Sequence, residues 1–458
     1  MTSTASPAFV VPPGPTTRPT LEGTFGMTAS THWIATACAQ AVLERGGNAF
    51  DAATAGAFVL HVVEPHLNGP GGDMTGIFAT AEDPTPVVMM GQGAAPAGAT
   101  LAHYRAEGLT RVPGTGALAA AVPTAVDAWL KLLAEHGTWE LADVLAYAID
   151  LAEDGHPVLA RVSAQIASCA EMFTQHWPSS AALWMPGGTA PAPGDLVRNP
   201  EYAAVLRDLI AAGDGIRAEG ADGAPADGPA GSAASADAAA RRARIEAARD
   251  RWRTGPVAQA IDAFVRTPHR HSDGADHAGV ITAQDIAATE ATFEPAATAT
   301  FRGYTVAKTG PWGQGPVLLQ ALRILDGFED AQLDPATEEG AHLVLEALKL
   351  ALADRDAHYG DAEVPLETLL SEEYTAARRA LIGPEASHEF RPGALDGAAP
   401  ALPPLVTEAE FARESGGVVD HGAGEPTVRP SGEVRGDTCH IDVVDRWGNI
   451  VSATPSGG

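Results

Sequence analysis

Apolar residues recur at helical spacing over residues 33–44, and Arg45-Gly46-Gly47-Asn48 closes that stretch, because glycine takes the left-handed cap conformation at little steric cost. Asp51 stands where it would cap a second, far more apolar helix running to Val63. Ala52, Ala53, Ala55 and Ala57 permit close approach of neighbouring elements, so this helix is expected in the interior. Residues 123–136 and 141–153 read as an amphipathic helical pair about the Gly137-Thr138 turn. Residues 340–358 predict a longer helix with Leu345, Leu348 and Leu352 on one face. Near the end, Val443-Val444 and Ile450-Val451 flank a turn containing Gly448-Asn449, the pattern of a β-hairpin.

Between these elements the composition shifts. Residues 1–25 are rich in Pro, Thr and Ser and predict a flexible terminal segment. Over 213–250 the chain is low in complexity, first Ala, Gly, Asp and Pro and then an Ala-Arg-Glu helix, which predicts a flexible surface insertion. Residues 393–437 are proline-rich and then glycine-rich, a mobile leader to the segment that begins at Thr438. With 458 residues, 45% of them hydrophobic, the chain can bury a large core. A formal net charge of -29 excludes nucleic acid as a partner, since phosphates would meet no neutralising surface. No run approaches the roughly 18 consecutive apolar residues of a membrane helix, so no membrane partner is expected. Three scattered cysteines, Cys38, Cys169 and Cys439, make neither a disulfide framework nor a zinc site.

The chemistry concentrates near the end, in Gly436-Asp437-Thr438-Cys439-His440-Ile441-Asp442-Val443. A threonine between an acidic residue and a strand-like run stands where a self-cleaving precursor places its future amino-terminal nucleophile. Its hydroxyl needs a base, and a free α-amine on the same residue supplies one. Such an amine titrates near about 7.7–8, whereas the internal amide of Thr438 is no base. Cleavage between Asp437 and Thr438 therefore creates the base. The Thr438 hydroxyl attacks the Asp437 carbonyl carbon, the acyl group shifts from nitrogen to oxygen, and water hydrolyses the ester. Taken alone, a threonine in a strand is also commonplace, and the plain structural reading stands beside the catalytic one. Cys439 reads as a small packed side chain.

Other motifs carry less. Asn68-Gly69-Pro70-Gly71-Gly72-Asp73 is either a nest of backbone N–H groups lining a pocket or a plain tight turn. Gly114-Thr115-Gly116 has no preceding strand and no phosphate-loop lysine, which removes a nucleotide-binding reading. His32, His66 and His440 lack metal-ligand spacing and read as hydrogen-bonded structural histidines; neither metal nor any other cofactor is expected.

Residues 436–454 resemble the start of the small subunit in the gamma-glutamyltranspeptidase family: a threonine, a small residue, a histidine, an alternating strand, Asp-x-x-Gly-Asn and a second strand. Further blocks fall in family order. They are Ala29-Ser30-Thr31-His32, Arg45-Gly46-Gly47-Asn48-Ala49-Phe50-Asp51, Glu64-Pro65-His66-Leu67-Asn68-Gly69-Pro70-Gly71-Gly72-Asp73, Leu151-Ala152-Glu153-Asp154-Gly155, Phe301-Arg302-Gly303-Tyr304 and Glu346-Ala347-Leu348-Lys349. The resemblance implies an α/β fold, the four-layer αββα sandwich of N-terminal-nucleophile hydrolases. Residues 26–392 would form most of the large subunit, and 438–458 the first hairpin of the small one. It also implies a self-processing amidohydrolase or acyltransferase acting on a small amide or a gamma-glutamyl substrate, with water or an amine as acceptor. Thr438 would be the nucleophile and Ser456 would match the second threonine that orients it. Asn68, Gly71, Gly72 and Asp73 would lie in the loop beside the substrate.

Two departures qualify that expectation. Family members that take gamma-glutamyl compounds hold the α-carboxylate with an arginine in Asp-Gly-Arg-Glu-Thr-Ala-Pro; here the stretch is Met90-Gly91-Gln92-Gly93-Ala94-Ala95-Pro96, with Gln92 at the arginine's place. A neutral amide cannot match a two-pronged guanidinium, and the charge-assisted pair lost is worth about 1.5–3 kcal/mol. The chain also ends at Gly458, before the serine and glycine pairs that family small subunits contribute, which predicts a fragment of a longer reading frame or a defective relative. A non-catalytic paralogue serving as a binding or scaffold module is the alternative. Residues 1–25 lack a basic start and an apolar run of signal-peptide length, so a cytoplasmic location is expected although better-known family members are exported.

Overall fold

The computed structural model describes residues 21–110, 112–216, 230–360, 363–395, 400 and 438–457. Six strands form its main sheet: β1 (Gly26–Ser30), β2 (Asp73–Ala79), β3 (Val87–Gly91), β4 (Thr292–Pro295), β5 (Ile441–Asp445) and β6 (Ile450–Ser456). They lie in the order β1-β5-β6-β2-β3-β4, each antiparallel to its neighbours. The last hairpin of the chain therefore sits between strands made near its beginning. Alternation explains the placement: Ile441, Val443, Val451 and Ala453 are fully buried on one face, while Asp442, Ser452 and Thr454 face the other way and are only half-buried.

Helices cover the apolar face. Helix α1 (Trp33–Glu44) has the bounds its periodicity predicts, and the His32 ring accepts from Ile34 N at its start. Helix α2 (Ala49–Val63) is buried along its whole length. Its cap is Asn48 rather than the expected Asp51. Asn48 Oδ1 accepts from Phe50 N and Asp51 N, while Asp51 stands one turn inside and closes a reciprocal capping box onto Asn48 N. The same Asp51 carboxylate accepts from Thr138 N, Thr138 Oγ1 and Trp139 N, so it also fixes the turn between α3 (Ala125–His136) and α4 (Leu141–Asp154).

A second buried carboxylate locks the hairpin to this layer. Asp445 Oδ1 accepts from the N–H groups of Trp447, Gly448 and Asn449, while Oδ2 accepts from Asn449 Nδ2 and from Ala49 N at the start of α2. The turn itself needs Gly448, whose φ of +101° is costly for a side chain.

The Ala-Arg-Glu helix expected in a flexible surface insertion is helix α5 (Ala230–Thr254), and it packs against α3. Its Arg241, Ile245, Ala248, Arg249 and Trp252 are buried. Arg249 makes a two-pronged pair with Asp127 of α3, at 2.9 and 3.1 Å. Alanines favour helix and let it approach closely, and Asp127 neutralises an arginine that composition alone assigns to solvent. Residues 217–229 lie outside the described ones.

Beyond the main sheet, a hairpin of Ala297–Phe301 and Tyr304–Lys308 packs against helix Gly315–Leu325, which packs in turn against helix Glu338–His358. The last of these buries Leu343, Ala347, Leu350 and Asp354, not the expected stripe: Leu345 and Leu352 are 60% and 37% exposed. Two apolar stripes compete on that helix, and the one containing the alanines fits the neighbouring helix more closely. The whole is a mixed α/β fold. Among the described residues no helix is long and apolar enough to cross a membrane.

Asp445→Ala strands the buried Ala49 N–H and the turn amides, and urea unfolding should show a loss on the order of 3 kcal/mol. Asp127→Ala leaves the Arg249 guanidinium buried with only the half-exposed Glu246 as its partner, with an expected loss of about 3 kcal/mol. Glu140→Ala removes the exposed partner of Arg244 and should cost less than about 1 kcal/mol.

Candidate active site

The sheet ladder continues past β5 to Thr438. Thr438 forms an antiparallel bridge with Ser456, Cys439 N donates to Pro455 O at 3.1 Å, and Ser456 is in register with Asp73 of β2. Gln92 follows the end of β3, one residue beyond the pairing of Gly91 with Met74. Thr438, Ser456 and Asp73 thus form one row across the end of the sheet. Residues opposite one another on antiparallel strands project to the same face, here the one that α1 and α2 leave open. Thr438 is exposed, and Ser456 and Asp73 are half-buried.

The 68–73 loop is built around that row. A methyl group on Gly72 would collide with the Ser456 carbonyl oxygen, so glycine allows the loop backbone to pass beside β6. Ala125 N donates to Gly72 O at 3.2 Å, which pins the loop to the start of α3. Gly457 N donates to Leu67 O at 2.9 Å and holds the end of β6 against the loop's first residues. Asn68 is buried, and its Nδ2 donates to the Leu60 and Glu64 carbonyl oxygens, so it ties the loop to the last turn of α2. Gly71 is exposed, with no atom near the place of a Cβ. Gln92 is exposed as well. Asp437, the expected partner in cleavage, lies outside the described residues.

Beside the row is a polar knot centred on the buried Glu64. Thr31 Oγ1 donates to Glu64 Oε2 at 2.5 Å, Thr31 N donates to His440 O at 3.1 Å, and His440 N reaches Thr31 Oγ1 at 3.5 Å. This knot joins β1, the segment bearing Thr438 and the end of α2. Burial raises the Glu64 carboxyl above its ordinary range, against the opposing pull of the Thr31 hydrogen bond and of Arg161. Burial, with Glu64 nearby, also pushes the Cys439 thiol up. Cys439 is a packed, inert side chain whose Sγ lies 3.5 Å from Pro455 O. His440 bridges Thr454 Oγ1 at 2.8 Å and Asp442 Oδ1 at 3.0 Å. Burial lowers His32 to about 4, with a further contribution from His156, and so keeps it neutral at pH 7. The pattern of the chain singled out neither Thr31 nor Glu64, although both lie inside its recognisable blocks.

A cavity of about 550 Å³ opens beside Gly457 and Asn68. Its far wall is the helical stretch over 160–184, and a turn over 270–274 closes another side. Among the described residues no cluster of three or more His, Cys, Asp or Glu is arranged to hold a metal ion.

Comparison with known proteins supplies the context. The solved structure of LmbA2991HD is 49% identical and superimposes with a TM-score of 0.83, covering 97% of this chain and 69% of that one. The cephalosporin acylase from Bacillus halodurans is 26% identical with a TM-score of 0.72, over 98% of this chain and 68% of that one. The glutathione hydrolase-like YwrD proenzyme of Bacillus subtilis (strain 168) is 31% identical over 77% of this chain and 59% of its own length. The chain spans about three fifths of the length of that curated relative. The gamma-glutamyltranspeptidase family model matches residues 35–458, and with these likenesses in sequence and fold, the chain belongs to that family.

Proposed function

We propose that the complete protein is a self-processing amidohydrolase or acyltransferase whose nucleophile is the amino-terminal threonine freed by cleavage between Asp437 and Thr438. The observation that carries this reading is the row of Thr438, Ser456 and Asp73 at the open end of the sheet, with the 68–73 loop packed against it. A hydroxyl held there on a rigid strand has a fixed direction of attack. In the N-terminal-nucleophile sandwich this reading implies, a second sheet would cover the half-exposed face carrying Ser452 and Thr454 and complete the four layers.

In the precursor, the Thr438 hydroxyl attacks the Asp437 carbonyl carbon, the peptide nitrogen becomes the leaving amine, and water cleaves the resulting ester. In the mature enzyme that amine takes the hydroxyl proton as the hydroxyl attacks a substrate amide. It passes the proton to the departing amine, and an acyl ester remains on Thr438. Water or an acceptor amine then releases the acyl group. Ser456, directly across the ladder, would orient the Thr438 hydroxyl or amine. Donors for the developing oxyanion would come from the part of the protein beyond this chain, or from the N–H groups of the 68–73 loop. With Gln92 in place of a guanidinium, a free α-carboxylate on the substrate finds no charged fork at this position.

The direct test is an intact-mass spectrum of the protein expressed from its full reading frame, beside Thr438→Ala. The expected result is two fragments, one beginning at Thr438, in the parent alone; a single uncleaved chain in both would overturn the reading and leave a binding or scaffold role. Gln92→Arg should lower KM for a gamma-glutamyl anilide by roughly ten- to a hundredfold, if the new guanidinium makes a charge-assisted pair. The base must be the neutral amine, so kcat/KM should rise with pH through an apparent pKa near about 7.7–8 and fall away below it.

A further inference from the structure

The cavity beside Gly457 has a composition unlike a carboxylate site. Phe173 and Trp177 stack at 6.2 Å between ring centroids, and with Trp184, Ile166 and Met172 they give it an aromatic and aliphatic wall. Arg270 is its one arginine or lysine among the described lining residues, and that guanidinium is already paired with Asp276 at 2.6 Å. Glu171, exposed at the rim, accepts from the Gln175 amide at 3.3 Å. His66 also lines the cavity, and neither of its buried ring nitrogens has a hydrogen-bond partner among the described residues.

The cavity lies close to the row at the end of the sheet. Gly457 follows Ser456 by one residue, about 3.8 Å between Cα atoms, and antiparallel partners stand about 4.5–5.5 Å apart. The cavity wall is therefore within about 9 Å of the Thr438 backbone, a span that one short side chain on an acyl group can bridge.

We infer that this cavity binds the acyl portion of the substrate, and that this portion is an uncharged aromatic or bulky apolar group, as in an arylacetyl amide. The assignment rests on the nucleophile reading above for its choice of the acyl side. The amine leaves first, whereas the acyl group stays bonded to Thr438 until water or an acceptor arrives, so a half-open pocket with an aromatic wall suits the part that is retained. Burial holds His66 near a pKa of about 4, with Arg161 and His32 adding to the shift, so the ring adds no charge to the pocket at pH 7. A glutamyl group would bring a carboxylate into a pocket whose one arginine is already paired with Asp276.

Calorimetric titration of the Thr438→Ala protein, made from its full reading frame so that no ligand is consumed, tests the assignment with phenylacetamide and L-glutamine as probes. Phenylacetamide should bind saturably and more tightly than glutamine, and Phe173→Ala should weaken it by about tenfold or more, the effect of losing one buried aromatic contact. Gln165→Trp, an exposed lining position chosen in case Phe173→Ala fails to fold, should abolish binding by filling the space. Glutamine binding more tightly than phenylacetamide, or phenylacetamide binding unchanged in the folded variants, would overturn the assignment. Mass spectra of the parent protein separate this from the nucleophile reading. An uncleaved parent whose Thr438→Ala form still binds phenylacetamide in the expected pattern would remove the nucleophile and keep the pocket, while a cleaved parent without such binding would remove the pocket alone.

Discussion

The structure depends on the insertion of the last hairpin between strands from the beginning of the chain. β5 pairs with β1 on one side, and β6 pairs with β2 on the other, so the sheet has no continuous centre without residues 441–456. Backbone hydrogen bonds on both edges of the hairpin and a fully buried apolar face hold it there. The Asp445 carboxylate adds five acceptor contacts that join the hairpin turn to the start of α2. A chain cut just before Thr438 would keep this hairpin through its pairing alone. Cleavage can therefore free an amino terminus without releasing the strand that carries it.

From that constraint the geometry of the site is derived. Because β6 lies beside β2, Ser456 must stand opposite Asp73, and because the ladder runs on, Thr438 must stand opposite Ser456. Gly72 is the point where the neighbouring loop passes too close to β6 for any side chain. The Thr31–Glu64 hydrogen bond then ties the same strand end to α2 from below, in surroundings dry enough to raise the Glu64 carboxyl. Rigid elements thus set the position of the Thr438 backbone.

Much of the fold was legible because local signals agreed. The periodicity of α1, the glycine stop after it and the hairpin turn at Gly448 each need only a few adjacent residues. What was not legible depended on distant partners. Helix α5 reads as solvated until Asp127 is seen to neutralise Arg249, and Leu345 reads as core until Leu343, Ala347 and Leu350 are found to fit better. Asp51 and Asn48 divide the capping of α2 in a way that the order of the two residues does not reveal. For the site, Thr438, Ser456 and the 68–73 loop stood out through their resemblance to a family, whereas their adjacency is a matter of sheet register. The structural role of Asn68 and the aromatic cavity over 160–184 had no local signature, since scattered Phe and Trp residues look like any small core.

All the chemistry proposed for this protein passes through the Thr438 hydroxyl. Acid quenching of the full-length protein during turnover of an activated amide, followed by peptide mass mapping, would capture that step. The predicted result is one acyl group on the peptide that begins at Thr438, located to that residue by fragmentation. Turnover with the acyl group on another residue, or with no covalent species while the peptide still begins upstream of Thr438, would contradict it.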